Sequence, residues 1–272
     1  MSKKCPFCGY GRAWRLRRQK LKCKRCRHEY SNKIYLKIAG VRATHKEWRA
    51  CIETFLKQRT IKRIVEETGI GHCRVEKMVK HMRKVMFEYE LPLFDGVTEI
   101  DETYIGGQRK NKKLHIRKIS PPKRGHGTEK MPIIGLFNRD RGQVYIKVIV
   151  KEEQKRRRER KRKMQIFKIV KERVIKNSTI YTDSFPLYEK ISEYIGCKHE
   201  AVNHNQGEYT RGDIHTNNIE GFWGILKRRM GCIGGMRRES LPYFTAEIVW
   251  KFNHRKLSFD DQINIMMDKI SH

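Results

Sequence analysis

Apolar residues recur at helical spacing in the first part of the chain and in strand-like runs further along. Within residues 45–88, Trp48, Ile52 and Phe55 lie on one side of a predicted helix. Beyond this region, runs rich in Val, Ile and Tyr predict three strands, at 97–105, 132–138 and 143–150. The change of period predicts a helical module followed by a domain that contains a sheet.

Helices and strands alternate in the second half of the chain. Ile166, Ile169, Val170 and Val174 are spaced as on one face of a helix. The pattern after it predicts a strand at 179–183, a helix at 185–195, a strand at 200–203, and helices at 216–230 and 239–254. This order favours one mixed α/β domain over residues 95–256. We assign residues 257–272 to a C-terminal tail.

The charge of the chain limits its partners. It has 62 Lys and Arg residues against 30 Asp and Glu residues, a formal net charge of +32 over 272 residues. Such an excess predicts a polyanionic partner, because each neutralised phosphate releases counterions and adds affinity. No apolar stretch approaches the roughly 18 residues that a membrane span needs, so we expect none. The first residues lack the apolar segment of a secretory signal.

Two Cys-x-x-Cys pairs predict a metal-binding module over residues 1–36. Fourteen residues separate Cys5 and Cys8 from Cys23 and Cys26. Two such turns place four thiolates at the corners of a tetrahedron, as structural Zn²⁺ requires. The alternative is four reduced surface cysteines, and His28 is a weaker substitute ligand. Because the protein would fill all four positions, we expect this zinc to be structural.

Residues 44–90 form the second module. Gly69 provides a turn between one helix and a second that begins near Val75, a pattern similar to a helix-turn-helix. Arg74, Lys77 and Lys80 would then face duplex DNA. The alternative is an ordinary helical hairpin whose charged residues are only solvated.

Three acidic residues occupy three different predicted elements. Asp101 lies within a predicted strand, Asp183 lies at the end of a short predicted strand, and Glu220 lies near a predicted helix start. On the strand, Glu99, Asp101 and Thr103 share one face, while Glu102 points to the other. Taken singly, Asp183 could be a helix N-cap and Glu220 could reach back to an Asn217 cap. Together they are suitable ligands for Mg²⁺, and two such ions about 4 Å apart catalyse phosphodiester displacement.

Three segments resemble the motifs of small bacterial insertion-sequence DDE transposases with an N-terminal zinc ribbon, which are related to eukaryotic Merlin elements. They are Asp101-Glu-Thr-Tyr-Ile-Gly-Gly107, Tyr181-Thr-Asp183 and His215-Thr-Asn-Asn-Ile-Glu220-Gly-Phe-Trp-Gly-Ile-Leu-Lys-Arg228. The resemblance covers nearly the whole chain. It implies a ribonuclease-H-like catalytic domain in which Asp101, Asp183 and Glu220 bind the catalytic metal. It also makes His215 a candidate for orienting a phosphate or the attacking water, unless it is only a polar residue near a helix start.

The implied function is to bind terminal inverted repeats and to cut and transfer DNA strands with Mg²⁺ or Mn²⁺. Lys227 and Arg228 would contact phosphates, and the basic segments 106–130 and 151–163 would hold DNA unless they are merely solvated. A dimer or larger assembly is expected on double-stranded DNA, in the cytoplasm or nucleoid of a bacterium or in a eukaryotic nucleus. The alternatives are a domesticated DNA-binding regulator without catalysis and a structure-specific nuclease.

Overall fold

A computed structural model describes most of the chain and divides it into two compact units. One unit comprises Met1–Val85 with Leu257–His272, and the other comprises Met86–Lys256. The described residues are 4–5, 7–17, 20–31, 35–106, 114, 130–149, 158–184, 188, 190–203, 210–233 and 236–271. Most of the two basic segments, 106–130 and 151–163, therefore lies outside the described residues.

The first unit begins with a small antiparallel sheet. Its strands are β1 (Ala13–Arg15), β2 (Lys20–Cys23) and β3 (Glu29–Ser31), with β2 in the middle. Cys5 and Cys8 lie in a turn before β1, where the Gly9 N–H donates to the carbonyl of Cys5 (2.9 Å). Cys23 ends β2 and Cys26 lies in the turn before β3. This arrangement is consistent with the predicted zinc ribbon.

A two-stranded sheet and three helices follow. They are β4 (Tyr35–Ile38), β5 (Val41–Thr44), α1 (His45–Leu56), α2 (Ile61–Thr68) and α3 (His72–Phe87). Thr44 and Glu47 form a capping box at the start of α1. Gly69 ends α2 at a φ of 67°, a left-handed conformation that glycine adopts without strain. The predicted inward-facing residues are buried, with Trp48, Ile52 and Val75 fully enclosed.

The last residues of the chain form a helix rather than the tail expected from the sequence. This helix, α8 (Phe259–Ser271), packs against α1 within the first unit. The Arg49 guanidinium donates to Asn264 Oδ1 and to Asp260 Oδ1, each across 2.9 Å. The buried side chains of α8 lie at helical spacing: Ile263, Met266, Met267 and Ile270. That spacing is visible in the sequence, but the prediction of a tail from residue 257 did not take it into account.

The second unit is built on a five-stranded mixed sheet. Its strands are β6 (Val97–Ile105), β7 (Met131–Asn138), β8 (Gln143–Val148), β9 (Thr179–Asp183) and β10 (Lys198–Val202). Their order in the sheet is β10-β9-β6-β7-β8. The first three form an antiparallel meander, whereas β9 runs parallel to β6 and β10 runs parallel to β9. Because β6 is central, it is paired along both of its edges, with β7 and β9.

Helices cover the two faces of this sheet with separate apolar cores. On one face, α4 (Arg158–Arg173) and the short α5 (Ile191–Ile195) pack over Ile100 and Ile180. On the other, α6 (Asn217–Gly231) and α7 (Leu241–Asn253) pack over Ile133 and Val144, and a 3₁₀ turn, Arg238–Ser240, precedes α7. The fold class predicted from the sequence, a ribonuclease-H-like mixed sheet with flanking helices, is confirmed.

Candidate active site and zinc site

Asp101 and Asp183 lie side by side on two parallel strands. The register pairs Glu99 of β6 with Tyr181 of β9. Two residues further along each strand are Asp101 and Asp183, and residues two apart on a strand point to the same face. Both aspartates therefore share the face covered by α6, at the point where the pairing of the two strands ends. The sheet thus brings together two of the three predicted ligands.

The environment of Asp101 disfavours its charge. Burial, followed by the nearby negative charges of Asp183 and Glu220, raises the pKa of Asp101 from its ordinary value of 3.8 to about 7. The hydrogen bond from Trp223 and the positive charge of Lys227 act in the opposite direction. Glu220 is therefore close enough to Asp101 to interact with it. Clustered carboxylates of this kind favour a bound cation, because a cation compensates charge that burial leaves unsolvated.

Glu220 lies in the first turn of α6, but it does not reach back to a cap at Asn217, which was the structural alternative considered from the sequence. The N-cap is Thr216 rather than Asn217, and its hydroxyl donates to Glu220 Oε1 (2.8 Å). The free N–H groups of the first turn are satisfied from the sheet instead. Glu99 Oε2 accepts the N–H groups of Asn218 and Ile219, each across 3.0 Å. A carboxylate at a helix N-terminus is stabilised by those N–H groups and by the helix dipole.

The start of α6 is fixed to the sheet by Arg139, which follows β7. Its Nε donates to Glu99 Oε1 (2.6 Å) and its Nη1 donates to the carbonyl of Asp213 (2.6 Å). Its Nη2 lies 2.8 Å from His215 Nδ1 and 2.8 Å from the carbonyl of His215. The guanidinium also lies over the ring of Tyr181, 4.8 Å from its centroid. Glu99 is fully buried, so this ion pair is shielded from solvent.

The opposite face of β6 carries a different pair of charges. Glu102 points away from the α6 side, as the strand alternation predicted, and forms an ion pair with Arg162 of α4. Arg162 also lies over the ring of Tyr104, 5.6 Å from its centroid. Tyr188 is buried on this face, where burial and the charges of Asp101 and Asp183 raise its pKa. Glu102 is therefore a structural carboxylate rather than a fourth member of the acidic cluster.

The four predicted zinc ligands converge. The distance between the sulfurs of Cys5 and Cys26 is 3.5 Å, as is that between the sulfurs of Cys8 and Cys23. A tetrahedron with Zn–S bonds of 2.3 Å has edges of about 3.8 Å, so the four thiols fit a zinc ion. Although burial opposes it, N–H groups of Cys26 and Arg25 lower the pKa of Cys23 to about 6. His28 stacks on Phe7 instead of joining the sulfurs.

The acidic cluster is more open than the cysteine cluster. Within the described ranges, the four cysteines are the one group of three or more candidate ligand residues whose ligand atoms all lie within 4.8 Å of one another. Asp101, Asp183 and Glu220 are therefore spread more widely than the ligands of a single closed site. Such a spread is compatible with carboxylates that would hold a pair of ions about 4 Å apart.

The predicted DNA-binding residues lie on exposed helix surfaces, with one exception. Lys77 and Lys80 are exposed on α3, and Lys227 and Arg228 are exposed on α6. Arg74 is half-buried and forms an ion pair with Glu47 of α1, which contributes to the low pKa of that carboxyl. Arg74 therefore stabilises the three-helix unit itself. Lys227 is near enough to Asp101 to lower its pKa.

The sequence analysis did not identify the buried ion pair of Glu99 and Arg139 at the start of α6. Glu99 was placed only on the face shared with Asp101, and Arg139 lies in the turn after a strand. The sequence contains one signal for this pair: a carboxylate lies within a strand that the fold buries. Because a buried carboxylate requires a partner, this position predicts a nearby positive charge. The partner is 40 residues away in sequence, so the pairing itself could not be deduced.

Comparison with known proteins gives a consistent set of similarities. The sequence model of the ISXO2-like transposase domain matches residues 94–253. A Halobacterium salinarum protein, described as an uncharacterized protein in transposable element ISH50, is 24% identical over 237 residues, which are 84% of this chain and 76% of the relative. An uncharacterized transposase-like protein of Haemophilus influenzae is 29% identical over 100 residues, or 36% of this chain and 76% of that protein. Across the described residues, no helix is both long and apolar enough to cross a membrane.

Proposed function

Because the chain belongs to the family of ISXO2-like transposase domains, we propose that it cuts DNA at the ends of a mobile element and joins them to a target. Asp101, Asp183 and Glu220 would bind the divalent ions that this reaction requires. The observation that supports the proposal is the electrostatic interaction of Asp101 with both Asp183 and Glu220, in a chain with a net charge of +32. The Trp223 hydrogen bond and the charge of Lys227 offset this repulsion in part, and a bound cation would compensate it further.

The donor set suits hard divalent cations. Mg²⁺ and Mn²⁺ prefer carboxylate oxygens, and Asp101, which interacts with both other acids, would hold an ion together with Asp183 and Glu220. When bound, such ions activate the attacking oxygen and stabilise the leaving oxygen of a phosphodiester. The protein contributes the fixed positions of the three carboxylates through β6, β9 and α6. Trp223 orients Asp101, and Thr216 orients Glu220.

Basic surfaces would bring double-stranded DNA to this site. Lys227 and Arg228 lie on the exposed side of α6, about two turns after Glu220, where a DNA backbone entering the site would pass. Lys77 and Lys80 of α3 would contact the terminal repeats, as the second helix of a helix-turn-helix does. The zinc ribbon would add further phosphate contacts. Joining two ends requires both to be held at once, so we propose that the protein acts as a dimer or a larger assembly.

The proposal is tested with DNA that carries the inverted repeats flanking the gene. We expect the wild-type protein with Mg²⁺ to nick at the repeat ends and to produce joined products on a target plasmid. Asp101→Asn, Asp183→Asn and Glu220→Gln should each abolish cutting while they retain binding in a gel-shift assay. Binding without cutting by the wild-type protein would identify a regulator instead, and cutting without joining would identify a nuclease.

Matched substitutions distinguish loss of chemistry from loss of folding. Glu102→Gln removes a carboxylate of the same strand on the opposite face, where it pairs with Arg162. This variant should cut DNA once it is folded, as judged by circular dichroism. Full cleavage by Asp101→Asn or Glu220→Gln would contradict the assignment of the site.

A further inference from the structure

The ring of His215 is held by donors on one of its two nitrogens. Arg139 Nη2 lies 2.8 Å from Nδ1, and the backbone N–H of Asn217 lies 3.3 Å from the same atom. A guanidinium has five N–H donors and no acceptor, and a backbone N–H can only donate. Nδ1 must therefore be the acceptor in both contacts. A neutral imidazole whose Nδ1 accepts carries its proton on Nε2.

The competing contact on Nδ1 is weaker. Glu99 Oε1 lies 3.5 Å from His215 Nδ1, where it would accept a hydrogen bond only if Nδ1 carried a proton. That oxygen already accepts from Arg139 Nε (2.6 Å) and from Asn218 Nδ2 (2.7 Å). A separation of 3.5 Å is beyond a normal N–H···O bond, whereas 2.8 Å is well within it. The 2.8 Å contact with Arg139 therefore determines the tautomer, in which Nδ1 accepts and Nε2 carries the proton.

We propose that His215 donates a hydrogen bond from Nε2 to a phosphate oxygen of the bound DNA, and that Arg139 is the positioning residue that imposes this polarity. The inference rests on the proposed function, since it requires DNA at the site. It assigns His215 one of the two roles that its motif left open. Activation of the attacking water would require an unprotonated Nε2, and Arg139 prevents that state while it donates to Nδ1.

The contacts of Arg139 hold its guanidinium in the position from which it donates to His215 Nδ1. Four groups hold its guanidinium from different directions: the buried Glu99 carboxylate, the Asp213 carbonyl, the His215 carbonyl and the Tyr181 ring. The His215 side chain is 23% exposed, so part of its ring remains open to a ligand. His215 directly precedes Thr216, whose hydroxyl donates to Glu220. The donor is thus two residues before Asn217, where α6, the helix that carries Glu220, begins.

The tautomer can be measured directly on the wild-type protein. Long-range ¹H–¹⁵N correlation spectra of full-length, histidine-labelled protein should show His215 with a bare Nδ1 and a protonated Nε2, and the resonance is assigned by its loss in His215→Gln. Arg139→Lys removes the second guanidinium arm and should mix the two tautomers. A protonated Nδ1 in the wild-type protein would overturn the inference without reference to any DNA reaction.

Amide substitutions test the role in the reaction. The side-chain NH₂ of Gln can reach the position of Nε2, whereas that of Asn corresponds to Nδ1. In single-turnover cleavage with Mg²⁺, His215→Ala and His215→Asn should be slower by about 100-fold, as when one preorganised donor is lost. His215→Gln should remain within about tenfold of the wild type.

The outcomes separate the two proposals. If the wild type and His215→Gln both cut while His215→Ala does not, the donor role stands. If the wild type cuts but His215→Gln is as slow as His215→Ala, the donor role is wrong and the proposed function survives. If the wild type cuts no DNA that carries the repeats, the proposed function fails and this inference fails with it.

Discussion

The indole Nε1–H of Trp223 donates a hydrogen bond to Oδ2 of Asp101 across 2.8 Å. Trp223 comes three residues after Glu220 on α6, so one helix carries both an acidic ligand and the group that orients another. The side chain of Trp223 is buried with Phe222 and Leu226. The same residue therefore joins the apolar core to the acidic cluster.

Gly135 makes this contact possible. It pairs with Asp101 across β6 and β7, and the Trp223 ring lies directly over it. A Cβ atom at position 135 would lie 2.8 Å from Ile219 Cδ1 and closer still to the indole. We predict that Gly135→Ala displaces Trp223, lowers the free energy of unfolding by about 1–3 kcal/mol and slows DNA cleavage. Urea unfolding and single-turnover cleavage would measure the two effects.

A second glycine of the same unit provides the control. Gly224 lies within α6, and a Cβ there would meet nothing within 4 Å. Gly224→Ala should raise the free energy of unfolding by up to about 1 kcal/mol, because alanine has the higher helix propensity. If Gly135→Ala were as stable and as active as Gly224→Ala, the close approach of Trp223 to the strand would be disproved.

The raised pKa of Asp101 predicts a pH-dependent stability of the metal-free protein. Its pKa is about 7 in the folded state against an ordinary 3.8, so between these values the folded protein binds the proton more tightly than the unfolded chain. The contribution of this group to stability is therefore full below about pH 4 and lost as the pH rises through 7. We predict that Asp101→Asn is more stable than the wild type at pH 8, by about 2 kcal/mol, and that the difference vanishes at pH 4.

Added Mg²⁺ should reverse that order. The ion binds the wild-type carboxylate cluster in the folded state and stabilises it by mass action, while Asp101→Asn has lost a ligand. Thermal unfolding with and without Mg²⁺ at pH 8 would measure both effects, with Asp213→Asn as an exposed control. If Asp101→Asn were less stable than the metal-free wild type at pH 8, the repulsion inferred among the three acids would be absent.

Removal of zinc should unfold the N-terminal ribbon. The three strands are short and bury few apolar side chains, so metal binding must provide much of their folding free energy. Cys5→Ser and Cys23→Ser should bind less than one zinc per chain and should lose the near-ultraviolet signal of Trp14 in β1. The exposed Cys73 and Cys232 provide matched controls, since their replacement by Ser should leave one zinc bound. Equal zinc content in all four variants would contradict the site.

Exposed lysines of α3 should contribute to DNA affinity in a salt-dependent way. Lys77→Ala and Lys80→Ala should each weaken binding to the terminal repeats and reduce the slope of log affinity against log salt by about 1. The measurement is fluorescence anisotropy at several salt concentrations. Arg74→Ala is a poor probe, because it also breaks the ion pair with Glu47 and destabilises the fold. An unchanged slope for both lysine variants would show that α3 does not contact phosphates.

Local signals in the sequence predicted much of the fold. The strand at 97–105 is observed at the same residues, and the strand at 179–183 matches β9. The turn at Gly69 was predicted because glycine tolerates the left-handed conformation that the structure has there. These features depend on side-chain alternation and on single-residue backbone preferences, both of which are local.

What could not be predicted depends on contacts between distant parts of the chain. The helix cap by Glu99 replaces the expected local cap by Asn217, and Glu99 is more than 100 residues away from the helix it caps. The hydrogen bond from Trp223 to Asp101 and the lack of space for a side chain at Gly135 likewise follow from the packing of α6 on the sheet. The helix at 259–271 is different, because its apolar spacing was present in the sequence but these residues were assigned to a tail.

Crystals of the full-length protein grown with Mn²⁺ and a repeat-end DNA duplex would test the central claim most directly, through the anomalous signal of the ion. We predict anomalous peaks within coordination distance of Asp101, with further ligands from Asp183 and Glu220, and no peak at Asp101 in crystals of Asp101→Asn. An ordered, DNA-bound structure in which the three carboxylates bind no Mn²⁺, or in which Mn²⁺ binds elsewhere, would contradict the account.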